Sequence, residues 1–454
     1  MKNFTLIVTL ILLISSCKKE KLDLVPVSAI GSNGFYSNSE EVELATIAIY
    51  DALQAVPLRE FALTEMRSDN TRTKTSEGDW AQFESFTVQS TNQQIGEYWA
   101  ANYNVAFRAN TVLNNLEVVT NPALKTQLEG EAKFCRALAH FNLVRAFGDI
   151  PIADRIIGIE DSEFFSRDAV GEVLSFVAAD LEDASLFLPT KGTLNFGRAS
   201  NGAASALLAK VYLTLGQYGA AENLLAEFIS GTDYGLVEDY SDVFYNEGNQ
   251  EIIFAIPYIN DDIVESQDFS FEMTVGGVVS GLNYLTDDFQ SGMNPLDTER
   301  APIIQNPLNT DEVGKYLTSS SNARLCGNDW IVLRLADVYL MYVEAKMAGL
   351  GSTQNLDAIN AFNMVRNRVG LELIPTDGTG EISIELLLNE RRYELAAENH
   401  RLYDLIRTGQ AVNILSNFAE AEGWIFETTD LILPIPLSEI NVSDGELTQN
   451  PGYN

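Results

Sequence analysis

The sequence predicts a mainly α protein: a scaffold of paired helices that carries long loop-rich insertions and a few short strands. Three observations predict it. Apolar residues recur at three- and four-residue steps through most of the chain. Small residues and tyrosines recur in helix pairs that share an opening pattern. Residues 64–91 and 231–330 lose the helical period, the second stretch being dense in Gly, Asn, Asp and Ser. Loops this long inside a folded domain are usually functional.

Lys2 supplies positive charge, residues 4–14 are almost wholly apolar, and Ser15 and Ser16 are small. That is the layout of a secretory signal, and the run is too short to cross a bilayer. The stretch Leu-Ile-Ser-Ser-Cys resembles a bacterial lipobox. It marks 1–16 as a cleaved signal, Cys17 as the lipid attachment, and 17–38 as a tether. Residues 39–454 are then expected to form a single helical domain.

Helices are predicted over 39–55, 92–118, 123–147, 167–187, 198–215, 217–230, 332–350, 354–369 and 382–408. In 123–147, Leu128, Ala132, Cys135, Leu138, Ala139 and Leu143 make one stripe, Pro122 marks the start and Gly148 the stop. Residues 251–259 read as a strand and 431–436 as a second, proline-marked extended segment. "ALLAKVYLTLGQYGAAENLL" (206–225) joins two small-residue helices through Gly216, as tetratricopeptide repeats do. Residues 335–370 repeat the arrangement. Such pairs stack into a superhelix.

Composition excludes several functions. Net charge is −35, from 64 acids against 29 bases, which argues against a nucleic-acid partner. With two histidines and no paired Cys spacing, no structural zinc site is expected. A Cys135–Cys326 disulfide is possible but has no support in the spacing, and no cofactor motif is present. Residues 377–385 begin like a calcium loop but lack its alternating ligands, so they read as a turn capped by Ser383. No catalytic motif appears, and the chain is read as a binding protein rather than an enzyme. Glu390, Glu394 and Glu398 interleave with Arg391, Arg392, Arg401 and Arg407, which predicts ion pairing rather than catalysis. His140 and His400 each read as packed or satisfied residues. Trp99, with Tyr103 and Phe107 at four-residue steps, reads as core, and Arg108 and Asn110 as ties between helices.

Sugar rings stack on aromatic faces and bond to neighbouring polar groups. Residues 66–83 offer that mixture in Asp69, Asn70, Arg72 and Trp80. Tyr284, in the second loop region, and Trp330, at the start of the next helix, complete the expected ligand set. Asp297 and Arg300 are expected to brace their loop.

The chain also resembles the SusD/RagB family of Bacteroidota outer-membrane lipoproteins. The resemblance runs through "YWAANYNVAFRANTVLNNL" (98–116), "EGEAKFCRALAHFNLVRAFGDIPI" (129–152), "RASNGAASALLAKVYLTLGQYGAAE" (198–222), "DWIVLRLADVYLMYVEAKMAG" (329–349), "LLLNERRYELAAENHRLYDLIRTG" (386–409) and "LTQNPGY" (447–453). Cys135 is a departure, standing where the family usually carries a larger residue. The resemblance implies about four tetratricopeptide-like helix pairs with the ligand face on the loops. It implies a protein on the outer face of the outer membrane, held there by lipid on Cys17. Such a protein binds a glycan, or alternatively a peptide, and passes it to a SusC-like TonB-dependent transporter.

Overall fold

Asn38 starts the scaffold by capping its first helix, accepting hydrogen bonds from the Glu40 and Glu41 amides. The structure is a computed structural model that describes residues 36–158, 161–274 and 282–453. The signal segment, Cys17 and most of the 17–38 tether lie outside the described residues.

Helix α1 (Ser39–Leu53) is followed by α2 (Pro57–Thr64), and then by the first loop region. Helix α3 (Gln93–Asn114) returns to pack on α1. Helix α4 (Pro122–Phe147) pairs with α5 (Val170–Phe187), and α6 (Asn201–Thr214) with α7 (Tyr218–Ser230). After the second loop region, α8 (Leu335–Met347) pairs with α9 (Leu356–Arg368). Successive pairs stack, α3 on α4, α5 on α6 and α7 on α8. The four expected helix pairs therefore form one continuous stack.

Local chemistry explains the fit. Asn121 caps α4 ahead of Pro122, and Gly148 closes it at φ +73°. Gly130 lets the end of α5 approach: a Cβ there would lie 2.9 Å from Phe187 Cβ. Ala203, Ala206 and Ala209 are fully buried on α6, where side chains of this size permit close helix contact. Tyr212 reaches from α6 to Glu182 of α5 at 2.6 Å. Arg108 ties α3 to α1 through the Ala48 carbonyl and Asp51, and Asn110 holds the Ala153 and Arg155 carbonyls. His140 is buried, donates from Nδ1 to the Arg136 carbonyl and accepts the Ala153 amide at Nε2. Burial brings its pKa down to about 4, so it stays neutral.

The structure corrects several expectations. The 332–350 segment is not helical from its start. Trp330–Arg334 is a strand that pairs antiparallel with Ile252–Ile256, and the helix begins at Leu335. Aromatic and branched side chains favour the extended form there. The 382–408 segment is two helices, α10 (Ile384–Glu394) and α11 (Arg401–Arg407). Ala397 and Asn399 between them take φ +58° and +63°. Side chains rarely adopt that region, and Glu65 and Glu60 hold Asn399 in it through its amide and its side chain. Residues 431–436 contain no strand. The Leu433 amide instead bonds the Ala146 carbonyl, and Gln449 bonds both backbone groups of Ile435. Trp99 is buried against Phe147, but Phe107 is half-exposed. Cys135 and Cys326 are both buried free thiols.

The expected arginine–carboxylate pairing forms a buried ion lattice. Glu394 accepts from Arg334 (2.6 Å), Arg300 (3.1 Å) and Arg368. Glu398 accepts from Arg334 (2.7 Å) and Lys315 (2.6 Å). Glu251 accepts from Arg334 and Arg368, Glu390 from Arg300 and Arg366, and Asp297 from Arg300. Burial opposes ionisation of Glu394, yet the three guanidiniums hold its pKa far below the usual carboxylate range. Removing one partner from a buried lattice leaves uncompensated charge, at about 3–5 kcal/mol. Glu394→Gln should therefore lose about that much stability in urea denaturation. Exposed Glu385→Gln on the same helix should change stability by less than about 0.5 kcal/mol.

Candidate functional site

The two loop regions meet. Thr71–Arg72 pairs antiparallel with Tyr284–Leu285, in the register Thr71 to Leu285 and Arg72 to Tyr284. Short ribbons are marginal alone, so side chains must pin this one. Thr286 does so by donating its amide to the Asn70 carbonyl and its hydroxyl to the Asp69 carbonyl.

Beneath the ribbon, the Asp69 carboxylate takes two hydrogen bonds from Arg401, at 2.7 and 2.8 Å, with Arg392 at 3.3 Å. Burial opposes its ionisation, but those guanidiniums bring its pKa down to about 2. Asn70 donates to Glu65 and accepts from Arg392. Glu65 itself is pushed up to about 7 by burial. These contacts moor the loop to α10 and α11.

The ribbon thus brings Arg72 and Tyr284 together. The Arg72 guanidinium lies 5.6 Å from the centre of the Tyr284 ring, and both side chains are half-exposed. Two carboxylates flank it, Glu84 at 3.8 Å and Glu422 at 3.7 Å. Burial pushes Glu84 up to about 7, although it accepts the Thr73 amide at 2.8 Å. Arg72 Nε, Glu84 Oε1, Thr71 Oγ1 and both amide atoms of Asn283 are buried without hydrogen-bond partners. Native interiors rarely leave such groups unmet.

Trp80 lies on the same loop but is half-buried against α2. It stacks on Phe61 with ring centres 5.5 Å apart and planes at 9°, and Arg59 lies 5.8 Å from its ring. Three expected ligand residues are corrected. Asp69 and Asn70 are buried and bonded to arginines, so they build the loop rather than face a ligand. Trp330 is 2% exposed, stacked on Tyr316 and edge-on to Phe269. The strand that carries it turns it into the core. Asp297 and Arg300 brace their loop as expected. Glu84 and Glu422 were not singled out in the sequence. The only signal for Glu84 is its closeness to Trp80, and Glu422 has none. Among the described residues, no cluster suited to a metal ion occurs.

Comparison with known proteins identifies the family. A model described as "SusD family" matches residues 309–453. A second, described as "Starch-binding associating with outer membrane", matches residues 22–213. The chain belongs to the SusD/RagB family. A SusD-like protein, P25, of Formosa agariphila is 27% identical, covering 100% of this chain and 99% of the relative. A solved structure of a laminarin-binding SusD-like protein is 26% identical, with a TM-score of 0.78, covering 92% of this chain and 100% of that one. A surface glycan-binding protein A from Bacteroides thetaiotaomicron, solved with laminarihexaose, has a TM-score of 0.76 at 20% identity and covers 90% and 99%. These SusD-like neighbours share the mainly helical architecture. No helix among the described residues is long and apolar enough to cross a membrane.

The pairing of Asp69 with Arg401 and Arg392 has a pH signature. An acid whose folded pKa is depressed stabilises the fold above its unfolded value and loses that stability as pH falls through the folded value. The window here runs from 3.8 down to about 2. Acid titration of stability should show a contribution of about 2 kcal/mol lost across it. Asp69→Asn should be less stable at pH 7 and lack that share of the slope, read by denaturation at each pH.

Proposed function

We propose that this SusD-family protein is an outer-membrane lipoprotein that binds an oligosaccharide at the Arg72–Tyr284 ribbon and delivers it to a SusC-like TonB-dependent transporter. Lipid on Cys17 anchors it, on the outer face, after removal of 1–16, with 17–38 as tether. The domain from residue 39 carries the ligand site on its two loop regions. Support for glycan as ligand comes from the relative described as laminarin binding, which aligns with nearly the whole of both chains. The ribbon adds a chemical reason. Tyr284 offers an aromatic face, Arg72 a charged donor and Glu422 a charged acceptor for hydroxyl groups beside it, with buried Glu84 behind Arg72. Trp80, on the same loop, is proposed as a secondary contact.

The lattice carboxylates are consumed by ion pairs and serve packing. Glu84 and Glu422 are the pair near the ribbon, and hydrolysis would require two carboxyl groups to face one glycosidic bond. Binding alone is the reading adopted, and delivery needs no chemistry from this chain.

Calorimetry with laminarihexaose, maltohexaose and a hexapeptide mixture tests the site. Binding of one hexasaccharide is expected, weakened at least tenfold by Tyr284→Ala and by Arg72→Ala, and less by Trp80→Ala. Equal affinity in the first two variants, or peptide binding without glycan binding, overturns the assignment. Release of reducing sugar that stops in Glu84→Gln would make the protein an enzyme. Cys17→Ser should move the protein from the membrane to the soluble fraction; continued attachment would mean a different anchor.

A further inference from the structure

A second cleft lies away from the ribbon, where the C-terminal end of α4 meets the start of α5, the end of α6, and α11. It encloses about 190 Å³. Its walls are apolar, formed by Val144, Leu174, Ile406, Leu431 and Ile432 among others. Among the described residues, three cations line it, Arg145, Lys210 and Arg407, and no carboxylate does. In a chain of net charge −35, that local balance is unusual.

The three cations are not equivalent. Lys210 is paired with Asp337 at 2.7 Å. Arg407 is paired with both oxygens of Glu344 and with Asp404. Arg145 has no carboxylate in ion-pair distance among the described residues. Its guanidinium lies over two rings, 4.2 Å from the centre of Phe141 and 4.2 Å from that of Tyr403. Nε donates to the Phe141 carbonyl at 3.3 Å and Nη2 to Asn142 at 2.7 Å. No protein acceptor among the described residues takes an Nη1 hydrogen. On its inner side Arg145 borders a cavity of about 40 Å³ that it shares with Glu60. The Glu60 carboxylate accepts from Tyr98 and Asn399, and it makes no ion pair with Arg145.

A guanidinium whose flat faces are covered by aromatic rings offers its N–H edge. That edge matches a carboxylate. Apolar walls around a few placed polar groups are the usual form of a small-molecule site. We infer that this cleft is a second binding site, for a small amphipathic carboxylate whose apolar body lies against Val144, Leu174 and Ile432 and whose anionic head meets Arg145. It is independent of the oligosaccharide reading and uses none of the same residues.

Octanoate, octanol and octylamine, titrated into the full folded domain by calorimetry, form the test. Octanoate should bind once per chain, octanol at least tenfold more weakly, and octylamine not at all. Arg145→Met should weaken octanoate at least tenfold. Val170→Trp, at the cleft's exposed rim, should block octanoate and octanol without disturbing the core or laminarihexaose binding. No octanoate binding to the wild-type protein, multiple weak sites, or equal affinity in Val170→Trp overturns the proposal. So does octylamine binding as well as octanoate. Laminarihexaose titrated into the same preparations reports the ribbon separately, so either site can fail alone.

Discussion

The buried ion lattice around Arg334 and Glu394 is the constraint on which the rest of the structure depends. It joins five cations, Arg300, Lys315, Arg334, Arg366 and Arg368, to five carboxylates, Glu251, Asp297, Glu390, Glu394 and Glu398. Equal numbers matter because an isolated charge in an apolar interior is far more costly than a paired one. The members come from the strand before α8, from α9, from α10, from the link between α10 and α11, and from the second loop region. The lattice therefore attaches the long insertion to the helical stack. The same insertion also buries Phe254, Phe269, Phe289 and Tyr316 in the main core, so charge pairing and apolar burial hold it together.

The candidate site inherits its order from the same chemistry. Asp69 with Arg401 and Arg392 anchors the first loop region, and the lattice anchors the second. With both ends moored, a two-residue ribbon is enough to align Arg72 with Tyr284. Residues held in salt bridges are thus one layer below the surface that meets solvent. Half-exposed Arg72 and Tyr284 rest on buried Asp69, Asn70 and Glu84. Preorganisation of this kind limits the entropy that loops lose on binding.

Legibility in the sequence followed the range of the interaction. Helices were readable because their period, their terminal signals at Pro122, Gly148 and Ser383, and their small residues all act within a few positions. The break in 382–408 was not readable, since Asn399 is held in left-handed backbone by Glu60 and Glu65, which reach it from α2 and the turn after it. Trp330 looked like a cleft residue for a related reason. A tryptophan beside polar sequence marks a ligand platform or a buried strand equally well, and pairing with Ile256 decided between them. Asp, Asn and Arg close together in a loop carry the same ambiguity, which Arg401 resolved for Asp69.

The sequence by itself determined the helical scaffold, the pairing of its helices, the structural role of the 390–407 charges, and the family resemblance later supported by two family models. These rest on local periodicity and on motifs whose residues are neighbours in the chain. Only the tertiary structure decided which polar residues face solvent and which hold the loops, and that Arg72 and Tyr284 share one surface. It also decided that Arg145, among the described residues, is left without a carboxylate beside an apolar cleft. The reason is physical. Charge pairing and burial depend on distance in space, and residues remote in sequence set that distance once the helices have stacked.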